Sequence, residues 1–168
     1  MIRECLEDDF EAIYEIINDA AQAYRGIIPL DCWHDPYMPR EELREEMSAG
    51  VAFLGYEKDG ELVGVMGTQG VQDVMLIRHA YVRTAHRNQG IGGELLGQIM
   101  GGTTRPILIG TWADASWAIS FYERHSFTLV SQREKERLLR KYWSVSDRQI
   151  ETSVVLTPIQ SPSDGGGP

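Results

Sequence analysis

The 168-residue sequence predicts a mixed α/β domain in which helices flank a sheet. Three observations carry that expectation. Apolar residues recur every three or four positions from 7 to 24 and again from 91 to 99. Aliphatic and alternating runs bounded by turn residues mark strands at 51–57, 61–69, 74–82 and 106–112. Helical and extended segments interleave in the order β-α-α-β-β-β-α-β-α-β-(α)-β.

Taken in order, residues 1–5 read as a short first strand. Phe10, Ile13, Ile17, Ala20, Ala21 and Tyr24 then line one helical face. Glu7, Asp8 and Asp9 stand at its positive end, and Gly26 is its expected stop. Residues 26–39 form an apolar and aromatic loop with three prolines. Connecting loops are usually polar, so this one is expected to lie over something. Pro39 starts a second helix through Met47, which Gly50 closes.

The strands 51–57 and 61–69 are joined by Lys58-Asp59-Gly60, a hairpin turn sequence. Gly64 and Gly67 inside the second strand either weaken it or mark a close backbone approach. A turn at 70–73 leads to the strand 74–82. After the helix from residue 91, Gly101-Gly102 breaks the chain. A buried strand at 106–112, a helix at 116–124, a short strand at 128–130 and a charged helix at 134–142 follow. The last strand is expected at 150–156. Residues 1–157 read as one domain, and 158–168 as a tail with too little to bury to be ordered.

Sixteen basic against twenty-five acidic residues give a net charge of −9. With no Lys/Arg cluster, a nucleic-acid or anionic-membrane partner is not expected. Cys5 and Cys32 are too few for a disulfide framework, which favours a reducing, cytoplasmic setting. No apolar run approaches the roughly 18 residues of a membrane span, and no signal-peptide pattern opens the chain.

The stretch Arg87-Asn88-Gln89-Gly90-Ile91-Gly92-Gly93 sits where a strand turns into a helix. A helix start has free N–H groups and the positive end of the dipole, and glycines let a ligand reach that backbone. This is an anion site whose usual guest is a pyrophosphate. There is no Gly-Lys-Ser/Thr for a P-loop, and the segment lies mid-chain, where no Rossmann fingerprint belongs.

His79-Ala80-Tyr81-Val82 followed by Arg87-x-x-Gly90-x-Gly92 resembles the acyl-CoA motif of the GNAT N-acetyltransferase superfamily. Residues 118–127, Ala-Ile-Ser-Phe-Tyr-Glu-Arg-His-Ser-Phe, are similar to that family's second motif. The resemblance spans about residues 1–157. It implies a mostly antiparallel sheet in which strands 74–82 and 106–112 run parallel but splay, forming the acyl-CoA cleft.

The implied activity is transfer of an acetyl group from acetyl-CoA to a primary amine of a small molecule or peptide, by direct attack. Ala80, Tyr81 and Val82 match the pantetheine-contacting segment, and residues 87–93 the pyrophosphate loop. Tyr122 matches the general acid; a phenol with pKa near 10 stays protonated at neutral pH. Ala115 stands where the family often has asparagine, and Ser126 where a left-handed turn favours glycine. Tyr24, Trp33, Tyr37 and Met38 are candidates for the acceptor pocket, with Asp31 and Asp35 favouring a cationic acceptor.

Family members with a base on the fourth strand carry it where this chain has Leu76 and Arg78. His79, one place on, is expected to face the other way by strand alternation. A water relay with Glu, Asp or His34 is the alternative, and no residue is singled out as base. No metal is implied, and a homodimer is left open. Two rival readings remain: a non-catalytic acyl-CoA-binding regulatory domain, and a nucleotide module using the glycine-rich loop for another phosphate ligand.

Overall fold

The computed structural model describes residues 1–159. It divides into two compact units, Met1–Arg105 and the part from Pro106 onward.

The first unit holds β1 (Ile2–Glu4), α1 (Phe10–Ala20), α2 (Arg40–Ser48), β2 (Ala52–Lys58), β3 (Glu61–Val71), β4 (Val74–Val82) and α3 (Ile91–Gly101). Its four strands pair antiparallel in chain order. The β2–β3 turn places Asp59 at φ 53° and Gly60 at φ 83°, the doubly left-handed turn that suits a two-residue hairpin. Ile13, Ile16 and Ile17 of α1 are fully enclosed, and they cluster with Leu43, Phe53 and Val65. α3 covers the other face: a Cβ on Gly64 would lie 2.9 Å from Ile91 Cγ2. Gly64 and Val65 are neighbours on one strand, so they point to opposite faces.

Gly67 shows why a glycine stands inside β3. A Cβ there would meet the Arg78 carbonyl oxygen at 2.9 Å, with Phe53 and Val51 each at 3.1 Å. Close backbone approach is therefore the reading that holds at Gly67, whereas at Gly64 the side chains of Ile91, Val82 and Leu95 take the space. Beside Gly67 the ladder slips: Gly67 faces Arg78, but Val65 faces Tyr81, so Met66 alone opposes His79 and Ala80. That is a β-bulge, and His79 sits in it at φ 50°. The expected alternation fails here: His79 does not face away from Arg78, because both side chains reach Glu46. An inserted residue cancels the period of two.

The second unit holds β5 (Ile107–Trp112), α4 (Ser116–Arg124), β6 (Phe127–Leu129), α5 (Gln132–Tyr142), α6 (Asp147–Glu151) and β7 (Ser153–Pro158). β7 pairs antiparallel with both β5 and β6. The turn before β6 carries Ser126 at φ 69°, the left-handed position that favours glycine. Residues 147–151 are helical, where the sequence suggests the last strand begins at 150. Ser146 and Gln149 close a capping box, and Ile150 is buried on that helix. β7 runs on to Pro158, and the Ile159 N–H donates to the Ser126 carbonyl at 2.8 Å. The rest of the expected tail, 160–168, lies outside the described residues.

Among the described residues no helix is long and apolar enough to cross a membrane. Cys5 and Cys32 are free thiols, and burial pushes the Cys5 thiol up to about 11.

Candidate active site

β4 delivers the chain to the glycine-rich loop. Beyond Val82, the Arg83 N–H donates to the Val63 carbonyl at 2.8 Å, and its side chain donates to the Leu62 carbonyl at 2.9 Å. A single tight turn at Thr84–His86 is tied back to α1, since the Thr84 N–H donates to Asp19 Oδ2 at 2.7 Å. Asn88 and Gly90 are both left-handed, at φ 62° and 80°. Gly90 is the N-cap of α3 and supplies no side-chain cap. The first N–H groups of that helix thus lack the usual capping partner, and residues 87–90 are exposed around them. Arg87 Nη2 reaches the Ala20 carbonyl at 3.5 Å, and Gln89 Oε1 accepts from Lys58 Nζ at 3.0 Å. The helix opening is suited to an anion.

Upstream, the bulge gathers charge. His79 Nε2 lies 2.5 Å from Glu46 Oε2, and Arg78 Nη2 donates to Glu46 Oε1 at 2.7 Å. Arg78 Nη1 donates to Gln69 Oε1 at 2.9 Å, and Gln69 Nε2 to the Ala49 carbonyl at 3.2 Å. Burial alone raises the Glu46 carboxyl, but the His79 bond and the His79 and Arg78 charges outweigh it and hold the group low. One turn earlier on α2, Glu42 is raised, first by partial burial and then by the charge of Glu46.

Aromatic rings surround this cluster. The His79 ring stacks at 22° to both Phe53 and Tyr81, with centroids 6.2 and 6.4 Å away. Tyr24, buried after α1, meets Tyr81 edge-on at 6.2 Å. Tyr24, Tyr81 and His79 therefore form one connected group. Trp33 and Tyr37 pair with each other at 5.7 Å, with Arg25 over Trp33. The loop bearing them is pinned to α1 by Asn18, which donates to the Met38 carbonyl at 3.1 Å and accepts from the Met38 N–H at 2.9 Å. Asp35 pairs with Arg25 at 3.2 Å on the exposed side of the loop.

Leu76 is fully buried and Arg78 is committed to Glu46, so neither serves as a base. In the second unit, Tyr122 on α4 is buried, edge-on to Phe121 at 5.1 Å and to Phe127 at 5.9 Å. Ala115 caps that helix from a fully buried position. Glu42 and Glu46 are the residues that sequence reasoning missed. The α2 segment Arg-Glu-Glu-Leu-Arg-Glu-Glu-Met is acidic on most sides, so composition selects none of its glutamates. Only Leu43 and Met47, four apart, mark the inward face that Glu42 and Glu46 flank.

A bulged strand leading into a glycine-opened helix, with His79 on the bulge paired to Glu46 of α2, gives an α/β protein whose helix opening suits an anion. The family profile described as an acetyltransferase (GNAT) domain matches residues 14–140, and the chain belongs to that family of acetyltransferases. Its fold is similar to that of the PaiA N-acetyltransferase of Thermoplasma acidophilum, solved in complex with coenzyme A. That pair shares 18% identity over 95% of this chain and 98% of the other, at a TM-score of 0.68. The ribosomal-protein-S18-alanine N-acetyltransferase of Escherichia coli is similar at 16% identity, with 96% and 94% covered and a TM-score of 0.67. A GNAT family acetyltransferase of Brucella melitensis, in complex with acetyl-CoA, is 21% identical over 76% and 82%, at 0.56. At these identities the likeness is one of fold.

Proposed function

We propose that the protein moves an acetyl group from acetyl-CoA to a primary amine of a small molecule or peptide, by direct attack on the thioester. The observation that carries this is the uncapped, glycine-opened start of α3, reached directly from the bulged end of β4. Residues 87–93 hold the pyrophosphate with backbone N–H groups, and the main chain of Ala80, Tyr81 and Val82 holds the pantetheine arm. A backbone N–H from the bulge stabilises the charge that develops on the thioester oxygen. Tyr122 protonates the departing thiolate, and Tyr24, Trp33 and Tyr37 shape the acceptor side. Solved relatives bound to coenzyme A or acetyl-CoA support the donor. One that acts on a ribosomal-protein alanine supports an amine acceptor. A binding-only regulatory role drew its strength from the lack of a proton acceptor near β4, and the His79–Glu46 pair weakens it.

Two measurements test the proposal. Wild-type protein with acetyl-CoA and a panel of amines, amino acids and short peptides should release free thiol. Gly92→Val sets a branched side chain at the first turn of α3 and should weaken CoA by at least tenfold, about 1.4 kcal/mol by calorimetry. Equal affinity in a folded variant would sink the phosphate assignment.

A further inference from the structure

We infer that the imidazole of His79 accepts the proton from the acceptor's ammonium group, with Glu46 as its positioning residue. This rests on the acetyltransferase reading above. The bulge turns His79 onto the same side as Arg78, immediately before the backbone assigned to the thioester. Phe53 and Tyr81 stack on the ring and fix its plane. Glu46 fixes its proton: an ionised carboxylate only accepts, so Nε2 carries the hydrogen and Nδ1 keeps the lone pair. Nδ1 has no hydrogen bond among the described residues and is not among their buried, unpartnered atoms, so it opens to solvent. Glu46 is itself held, through Arg78 and Gln69, by the Ala49 carbonyl. A chain of partnered groups with one open nitrogen at its end is the arrangement that a base requires.

The groups around the imidazole come from three elements. α2 contributes Glu46 and Glu42, β4 contributes Arg78 and Tyr81, and His34 lies near Glu42 from the 26–39 loop. Glu42 reaches the surface and is raised, which suits it to pass a proton onward to water. In the step itself, His79 Nδ1 takes one proton from the ammonium, and the freed lone pair forms the C–N bond. The C–S bond then breaks and the sulfur leaves with its electron pair. The nitrogen's second proton compensates the thiolate, and the proton on His79 goes to solvent. Amide, free thiol and one released proton balance the reaction.

His79→Asn tests the inference, since asparagine tolerates the left-handed backbone. With the best alkylamine of the panel, kcat/KM near neutral pH should fall about 10²–10³-fold, and its acid limb should move up toward the ionisation of the amine itself. CoA affinity should stay within about twofold. Hydroxylamine, already uncharged at neutral pH, has no ammonium proton to remove before attack, so its loss should be under about tenfold. Glu46→Gln should keep an acid limb but move it, which a merely structural contact would not do. Equal losses for alkylamine and hydroxylamine, or an unchanged pH profile in folded His79→Asn, overturn the base. Should His79→Asn not fold, an unmoved limb in Glu46→Gln overturns it instead. If wild-type protein binds CoA yet releases no thiol with any amine, the transferase reading falls first, and the base with it.

Discussion

Replacing Gly67 by alanine puts one methyl group against the backbone of the bulge. The new Cβ would stand 2.9 Å from the Arg78 carbonyl oxygen and 3.1 Å from both the Phe53 ring and a Val51 methyl. A carbon–oxygen contact normally sits at about 3.3–3.6 Å. The oxygen belongs to the partner strand, in register with Gly67, so no rotamer change removes it. β4 must shift by several tenths of an ångström, and overpacking of that kind costs about 1–3 kcal/mol. Gly97→Ala makes the same chemical change in α3, where a Cβ meets no atom within 4 Å. Helix propensity there favours alanine by about 0.8–1 kcal/mol. Urea unfolding should therefore move the two midpoints in opposite directions at similar slopes. Because Arg78 directly precedes His79, Gly67→Ala should also slow thiol release, while Gly97→Ala should not. A Gly67→Ala protein as stable as wild type would refute the claim that β3 and β4 touch here through bare backbone.

Two further outcomes are expected. Tyr122→Phe keeps the ring against Phe121 and Phe127, so folding and CoA affinity should hold while kcat falls roughly 10–100-fold. An unchanged kcat where chemistry limits turnover would leave Tyr122 a core tyrosine. Asp9 accepts from Arg3 at 2.8 and 3.0 Å and from the Leu6 N–H at 2.7 Å, and the Arg3 bond foremost holds its carboxyl below the usual range. A lowered folded pKa means stability present above the unfolded value, about 3.9, and lost as pH falls through the folded one. Asp9→Asn should cost about 1–2 kcal/mol at neutral pH and progressively less in acid, measured by urea unfolding. A pH-independent difference would show that the ionised form is not what Arg3 holds.

Much of the fold was legible because most elements announce themselves through one local rule. β4 and α4 fall at 74–82 and 116–124 as expected, each with a clear period and clear stops. α6 is not, because Ile150 fits the aliphatic run of the last strand, while the helix is set by the Ser146–Gln149 capping box. The turn into α3 is legible because it is written in glycine positions: Gly90, at φ 80°, opens the helix. The His79–Glu46 pair was not, since it needs a bulge, and a bulge leaves no mark on a period-two run. What betrays it in hindsight is Gly67, whose missing side chain makes room for the displaced strand.

Asn18 gives the 26–39 segment an unusual independence. One side-chain amide satisfies both main-chain groups of Met38, as a neighbouring strand would, and also reaches the Tyr14 carbonyl at 3.0 Å. That anchor reads backbone, so it does not depend on the exposed side chains of the segment, whereas the buried Ile28 and Met38 hold it by packing. Doubling a loop's length adds only about 0.6 kcal/mol of closure cost. On the proposed acceptor side, the exposed positions Leu30, Asp31, His34 and Asp35 can therefore be exchanged while Ile28 and Met38 keep their packing and Asn18 its hold.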